Sequence, residues 1–292
     1  MRWDKVDNPN VIDRRGRRGG GGGGRSIAIG GGGLGLIGLL IMLFLGGMNG
    51  NGGGAGDILN DVLGGAQAPA APSDPVDQPP AQDDTTLFIN WALADIQDTW
   101  DEIFRAAGQS YPRARLVLFE GREPSGCGGA LGQYGPHYCP ADQNVYIDLA
   151  FFNDPRMDIE GDFALAYVIA HEIGHHVQQV TGISDQVRRL QQQSGQAQAN
   201  DLSVRLELQA DCFAGVWGHA TYQDNRLESG DFEEAIRAAE AVGDDTIARN
   251  AGVNRPNPES FTHGTSQQRI NWFRQGFDTG DPDQCDTFNN PI

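Results

Sequence analysis

Apolar residues recur at a three-and-four-residue stride over Phe163, Ala166, Tyr167, Ala170, Ile173 and Val177, which sets one face of an α-helix against a core. Asp162 is the expected N-cap and Gly182 the expected stop. The same stride through Phe88, Trp91, Leu93, Ile96, Trp100, Ile103 and Phe104 predicts a helix from Thr86 to Ala107, ended by Gly108. Helices are also expected over Leu202–Tyr222, 231–242, about 244–251 and from Ser266 to Gln275, with Gly276 as the last stop. The glutamine-rich stretch 184–200 reads as a partly helical connection. Two short β-branched and apolar runs, Arg115–Phe119 and Asn144–Leu149, read as strands. The fold class that follows is α+β, mostly helical with a small β-sheet.

Ahead of this domain the pattern changes. From Ser26 to Asn49 there is no charged residue, and Leu39–Leu45 is continuously apolar. About 20 uncharged, mostly apolar residues span a bilayer, so 26–49 is expected to be a single transmembrane anchor. The chain carries a net charge of −18, yet residues 1–26 carry +4, leaving −22 for the rest. Arginines crowd before the span and none follows it closely. The expected topology is therefore a cytoplasmic N-terminus and an extracytoplasmic body at the cell membrane. A cleaved signal peptide is the competing reading, and the long polar stretch before the apolar run argues for an uncleaved anchor. Residues 1–25 read as a disordered basic, glycine-rich cytoplasmic tail. Residues 50–82, rich in Gly, Ala, Pro and Asp, read as a flexible linker. The folded domain is expected over 83–292, able to fold without residues 1–82. The acidic body argues against nucleic acid as a partner.

Four cysteines in an extracytoplasmic domain are most simply two disulfides. Cys127–Cys139 would staple the glycine-rich loop between the two strands, leaving Cys212–Cys285 to tie the C-terminal tail to a helix. No Cys-x-x-Cys spacing supports a cysteine metal site.

The candidate chemistry lies on the first helix described. His171-Glu172-Ile173-Gly174-His175 is His-Glu-x-x-His. Residues four apart share a helix face, so His171 and His175 aim two imidazoles at one point, where a zinc ion fits. Glu172 stands one position round, placed to act as general base on a zinc-activated water. His176 points about 100° away from His175 and is not expected to be a ligand. A catalytic zinc takes three protein ligands. Glu207 and Asp211, four apart on the later helix, share a face; Glu207 is expected to complete the site and Asp211 to accept a hydrogen bond from a ligand histidine. His263, ahead of the last helix, is either a hydrogen-bonding group for an oxyanion or a helix cap, and Arg269 stands close after it. His137 and His219 have no pattern around them and read as structural.

His-Glu-Ile-Gly-His-His, Glu-Leu-Gln-Ala-Asp-Cys-Phe-Ala-Gly-Val-Trp and Thr-His-Gly-Thr-Ser-Gln-Gln-Arg, with the opening Met-Arg-Trp and the basic glycine-rich stretch, closely resemble the bacterial neutral zinc metallopeptidase family. The resemblance covers nearly the whole chain. It implies a membrane-anchored, gluzincin-like zincin acting on peptides or proteins, with zinc held by His171, His175 and Glu207 and with Glu172 as base. It also implies a sheet strand beside the active-site helix that pairs with extended substrate, expected at Tyr146–Leu149. The competing class is a non-catalytic, membrane-anchored zinc-binding module.

Overall fold

A computed structural model describes residues 1–16, 83–121, 123–128, 130–131, 135–152, 159–253 and 255–292. The expected anchor at 26–49 and linker at 50–82 lie outside the described residues. Among the described residues no helix is long and apolar enough to cross a membrane.

The helix at Asp84–Ala106 (α1) begins two residues before the expected Thr86, because the Asp83 side chain caps it by accepting from the Thr86 amide. Strands Val11–Asp13 (β1), Arg115–Phe119 (β2), His137–Cys139 (β5) and Asn144–Asp148 (β6) form one sheet in the order β1-β2-β6-β5. A two-stranded ladder pairs Glu123–Pro124 (β3) with Ala130–Leu131 (β4). β1, β2 and β6 run parallel, whereas β5 is antiparallel to β6. The period-two alternation of a strand splits its residues between two faces. Leu116, Leu118, Val145 and Ile147 join the main core under the helices, while Ile12, Val117, Phe119, Cys139 and Tyr146 form a smaller cluster.

Asp162–Val180 (α2) is the hub. It packs against α1, against Ile183–Gln191 (α3), Gln196–Gln223 (α4) and Asp231–Ala241 (α5), and against β5 and β6. Asp244–Asn250 (α6) and Ser266–Thr279 (α7) complete the helices. Both expected disulfides, Cys127–Cys139 and Cys212–Cys285, are present.

Four expectations are corrected. Residues 1–16, read as part of a disordered tail, belong to the folded body: Val11 and Ile12 are buried, and β1 pairs with β2 in the register Val11–Leu116. The Met1 amino group donates to Asp162 Oδ2 at 2.9 Å and Asp231 Oδ1 at 3.3 Å, and Arg14 pairs with Glu123. A domain starting at Asp83 would lack this strand. Gly161, not Asp162, occupies the N-cap of α2; Asp162 sits in the first turn, where the helix dipole favours a carboxylate. Gly276 does not end α7, which runs to Thr279 and is capped by Gly280 in the left-handed conformation. Gly276 instead faces α4: a methyl group there would collide with the Cys212 carbonyl, and one on Gly215 with the Phe273 carbonyl. The two glycines let the helix backbones touch. Finally, β6 lies between β2 and β5, so Tyr146–Leu149 offers no free strand edge; the outer strand beside α2 is β5.

Candidate metal centre

The spacing of His171 and His175 on α2 brings their rings to 4.8 Å between centroids. Across the α2–α4 contact, the Glu207 carboxylate of α4 meets both. His171 Nε2 lies 3.2 Å from Glu207 Oε2, and His175 Nε2 lies 3.5 Å from Glu207 Oε1. One donor atom from each of the three residues falls within 4.8 Å of the other two. A tetrahedral zinc with bonds of about 2.0–2.1 Å holds its ligand atoms about 3.3 Å apart. The donor set and its spacing therefore fit zinc.

The outer ring nitrogens are also held. His171 Nδ1 is 2.8 Å from Asp211 Oδ1, so the Nδ1 hydrogen goes to the carboxylate and Nε2 turns inward. Asp211 is fully buried and would be costly as a lone charge. It is compensated by a fork of two bonds from Arg269, Nε to Oδ2 at 2.8 Å and Nη2 to Oδ1 at 2.8 Å, and by the Tyr167 hydroxyl at 2.6 Å. His175 Nδ1 is 2.9 Å from Gln178 Oε1.

These contacts polarise the metal-free site. Burial pulls the His171 imidazole toward its neutral form, but the Asp211 charge and the hydrogen bonds to Asp211 and Glu207 outweigh it and lift its pKa to about 9. Burial raises the Asp211 carboxyl, yet Arg269 and His171 bring it down to about 2. Glu207 falls well below the usual carboxylate range: burial opposes this, and His175, His263 and the bonds from both ligand histidines prevail. The negative charge that attracts a proton onto His171 would equally attract a dication, which would take that proton's place.

Glu172 is buried on α2 beside His171, and no hydrogen bond or ion pair among the described residues holds its carboxylate. His263 is also buried. Its Nδ1 lies 3.3 Å from Asp244 Oδ1, while Asp244 Oδ2 accepts the backbone amides of Thr262, His263 and Gly264 at 2.8, 2.7 and 3.0 Å. Burial lowers the basicity of His263, but Glu207 and Asp244 together raise its pKa. His263 is not a helix cap. Thr265 caps α7, accepting from the Gln268 amide at 3.2 Å, while Gln268 Oε1 accepts from the Thr265 amide at 2.9 Å.

The histidines expected to stand outside the cluster do so. His176 Nε2 donates to the Pro112 carbonyl at 2.6 Å, His219 bonds the Phe277 carbonyl, and His137 stacks on Tyr146. Sequence reasoning missed Gln178 and Asp244, took Tyr167 only as an apolar position, and left Arg269 without a role. A second acidic group, Asp162, Asp231 and Glu234, lies at the far end of α2, beside the Met1 amino group.

Two histidines one helical turn apart and a glutamate from a second helix, each histidine fixed from behind, make up a donor set that could hold a metal ion. The chain belongs to the family described as "Putative neutral zinc metallopeptidase", whose profile matches residues 1–288. Among its relatives is the uncharacterised Escherichia coli protein YpfJ, 46% identical over the full length of both chains. The uncharacterised Mycobacterium tuberculosis protein Rv2575 is 38% identical over 70% of this chain and 73% of its own. No solved structure matches the chain.

Proposed function

We propose that the chain is a zinc-dependent peptidase whose metal is held by His171, His175 and Glu207. The observation that carries this is the meeting of three donor groups at zinc spacing, with Glu172, buried and without a hydrogen bond or ion pair among the described residues, following His171 in the chain. Zinc bound there supplies a Lewis acid and brings the pKa of a water to about 7. Glu172 acts as general base, taking the proton of the attacking water and returning it to the leaving amine. His263, held by Asp244, donates a hydrogen bond to the oxygen that gains charge on the scissile carbonyl. Asp211 with Arg269, and Gln178, keep the two ligand imidazoles from turning. The substrate is an extended peptide or protein segment that pairs with the outer edge of β5 by strand addition. This strand replaces β6 in that role because it ends the sheet and is tied to α2 through Tyr138 Oη, 3.1 Å from His176 Nδ1.

Location is part of the proposal. A single-pass anchor with a cytoplasmic N-terminus would separate residues 1–16 from residues 83–292. In this fold they are one body: Arg15 Nη2 lies 2.8 Å from Asp83 Oδ2, and β1, an edge strand with buried residues, pairs with β2. Both parts therefore lie on one side of any membrane the chain meets. The two disulfides support a side that faces an oxidising compartment.

The test is peptide turnover by the zinc-loaded full chain and its Glu172→Gln variant. The variant should keep its zinc and lose activity by about 10²-fold or more, the scale of a general base. Zinc uptake without turnover of any peptide in a diverse mixture would instead support the non-catalytic zinc-binding module.

A further inference from the structure

A chain of side-chain amides links His175 to the backbone beside the Cys212–Cys285 disulfide, and its direction is fixed by its ends. Backbone carbonyls only accept hydrogen bonds. The Cys285 carbonyl accepts from Gln209 Nε2 at 3.0 Å. Gln209 Oε1 is thereby turned the other way, where it accepts from Gln178 Nε2 at 3.1 Å. Gln178 Nε2 also donates to the Leu206 carbonyl at 2.7 Å. Both hydrogens of that amide are then in use, so Gln178 Oε1 is the atom left for His175. An amide oxygen accepts, which requires His175 Nδ1, 2.9 Å away, to carry the hydrogen. The lone pair of the neutral ring then sits on Nε2, the nitrogen that faces Glu207. Gln178 and Gln209 are both buried between α2 and α4, where water offers no ready alternative partner.

We propose that Gln178 is a positioning residue that locks His175 as its Nδ1–H tautomer, presenting Nε2 as a metal donor before any metal binds. This rests on reading His171, His175 and Glu207 as a metal centre. The two ligand histidines are thus held by different chemistry. His171 is backed by a carboxylate, whereas His175 is backed by a neutral amide whose orientation comes from two backbone carbonyls. Gln209 acts one step further out: without it, the Gln178 amide loses one of the two contacts that keep its nitrogen away from His175 and retains the Leu206 carbonyl. The 73-residue separation closed by the Cys212–Cys285 disulfide holds the Cys285 carbonyl at the far end.

The experiment is two-bond ¹H–¹⁵N correlation spectroscopy of the histidine rings in the metal-free full chain, at a pH where His175 is neutral, paired with zinc titrations. Wild-type His175 should show the Nδ1–H pattern. Gln178→Leu should move it toward the Nε2–H tautomer and weaken zinc by roughly 10–100-fold, the usual scale for a residue behind a ligand. Gln209→Leu, which touches no histidine, should shift the tautomer in the same direction and weaken zinc less. The wild-type spectrum stands even if a variant does not fold. A wild-type His175 in the Nε2–H tautomer overturns the proposal. So does a Gln178→Leu protein that keeps the Nδ1–H pattern and wild-type zinc affinity. A wild-type protein with the expected tautomer that takes up no zinc supports the relay and overturns the metal reading instead.

Discussion

His171 ties the stability of the fold to the proposed metal chemistry of the site. Its pKa of about 9, against an ordinary 6.5, means that the folded, metal-free protein favours the imidazolium. The resulting stabilisation is complete below pH 6.5 and is lost as the pH rises through about 9. Zinc takes the neutral ring, so below pH 9 its uptake displaces this proton. Zinc affinity should therefore rise by about tenfold per pH unit from neutral pH and level off above about 9, as calorimetric titrations in buffers of different ionisation enthalpy would show. A pH-independent affinity over that range would mean that His171 is not a ligand. The cluster of His171, His175, Glu207 and Asp211 was legible in the sequence because a helix imposes the four-residue spacing of His171 and His175 and of Glu207 and Asp211. Gln178 and Asp244 were not. One looked like another polar residue in a Gln-Gln pair, the other like part of an acidic run at a helix start. Each acquires its role only through partners brought together by tertiary packing, as with Asp244 and the amides of 262–264.

At the scale of elements, the long helices followed from apolar periodicity, and the two strands Arg115–Phe119 and Asn144–Asp148 from their composition. What periodicity does not contain is the order of strands in a sheet, which is why β6 was expected at an edge that β5 occupies. Gly276 was read as a terminator because glycine often is one. Here its missing side chain serves a helix crossing. The α4–α7 contact positions both the Asp211–Arg269 pair and the approach of His263, so its closeness bears on the site. Gly276→Ala should force the helices apart and cost about 1–3 kcal/mol, the range for overpacking a tight core. Chemical denaturation would register the loss, and an unchanged midpoint would mean that the backbones are not in contact there.

For the whole molecule, the largest departure from the sequence reading is the N-terminal segment. Its charge and glycines resembled a tail, and a three-residue strand is too short to announce itself. Its burial depends on pairing with β2, far along the chain. If residues 1–16 and 83–292 share one side of the membrane, cysteines introduced at exposed Lys5 and Gln193 should respond alike to a membrane-impermeant maleimide on intact cells, both labelled or both protected. Labelling of only one would separate the two parts and contradict the fold. Among the described residues two groups of possible metal ligands converge, one near the middle of α2 and one at its N-terminal end. Only the one with two histidines has the donor set of a catalytic zinc site. The most direct measurement is an anomalous difference map at the zinc absorption edge, from crystals of the full chain grown with zinc. One strong peak is expected about 2 Å from His171 Nε2, His175 Nε2 and a Glu207 carboxylate oxygen. A zinc peak confined to Asp162, Asp231 and Glu234, with none between the histidines, would contradict it.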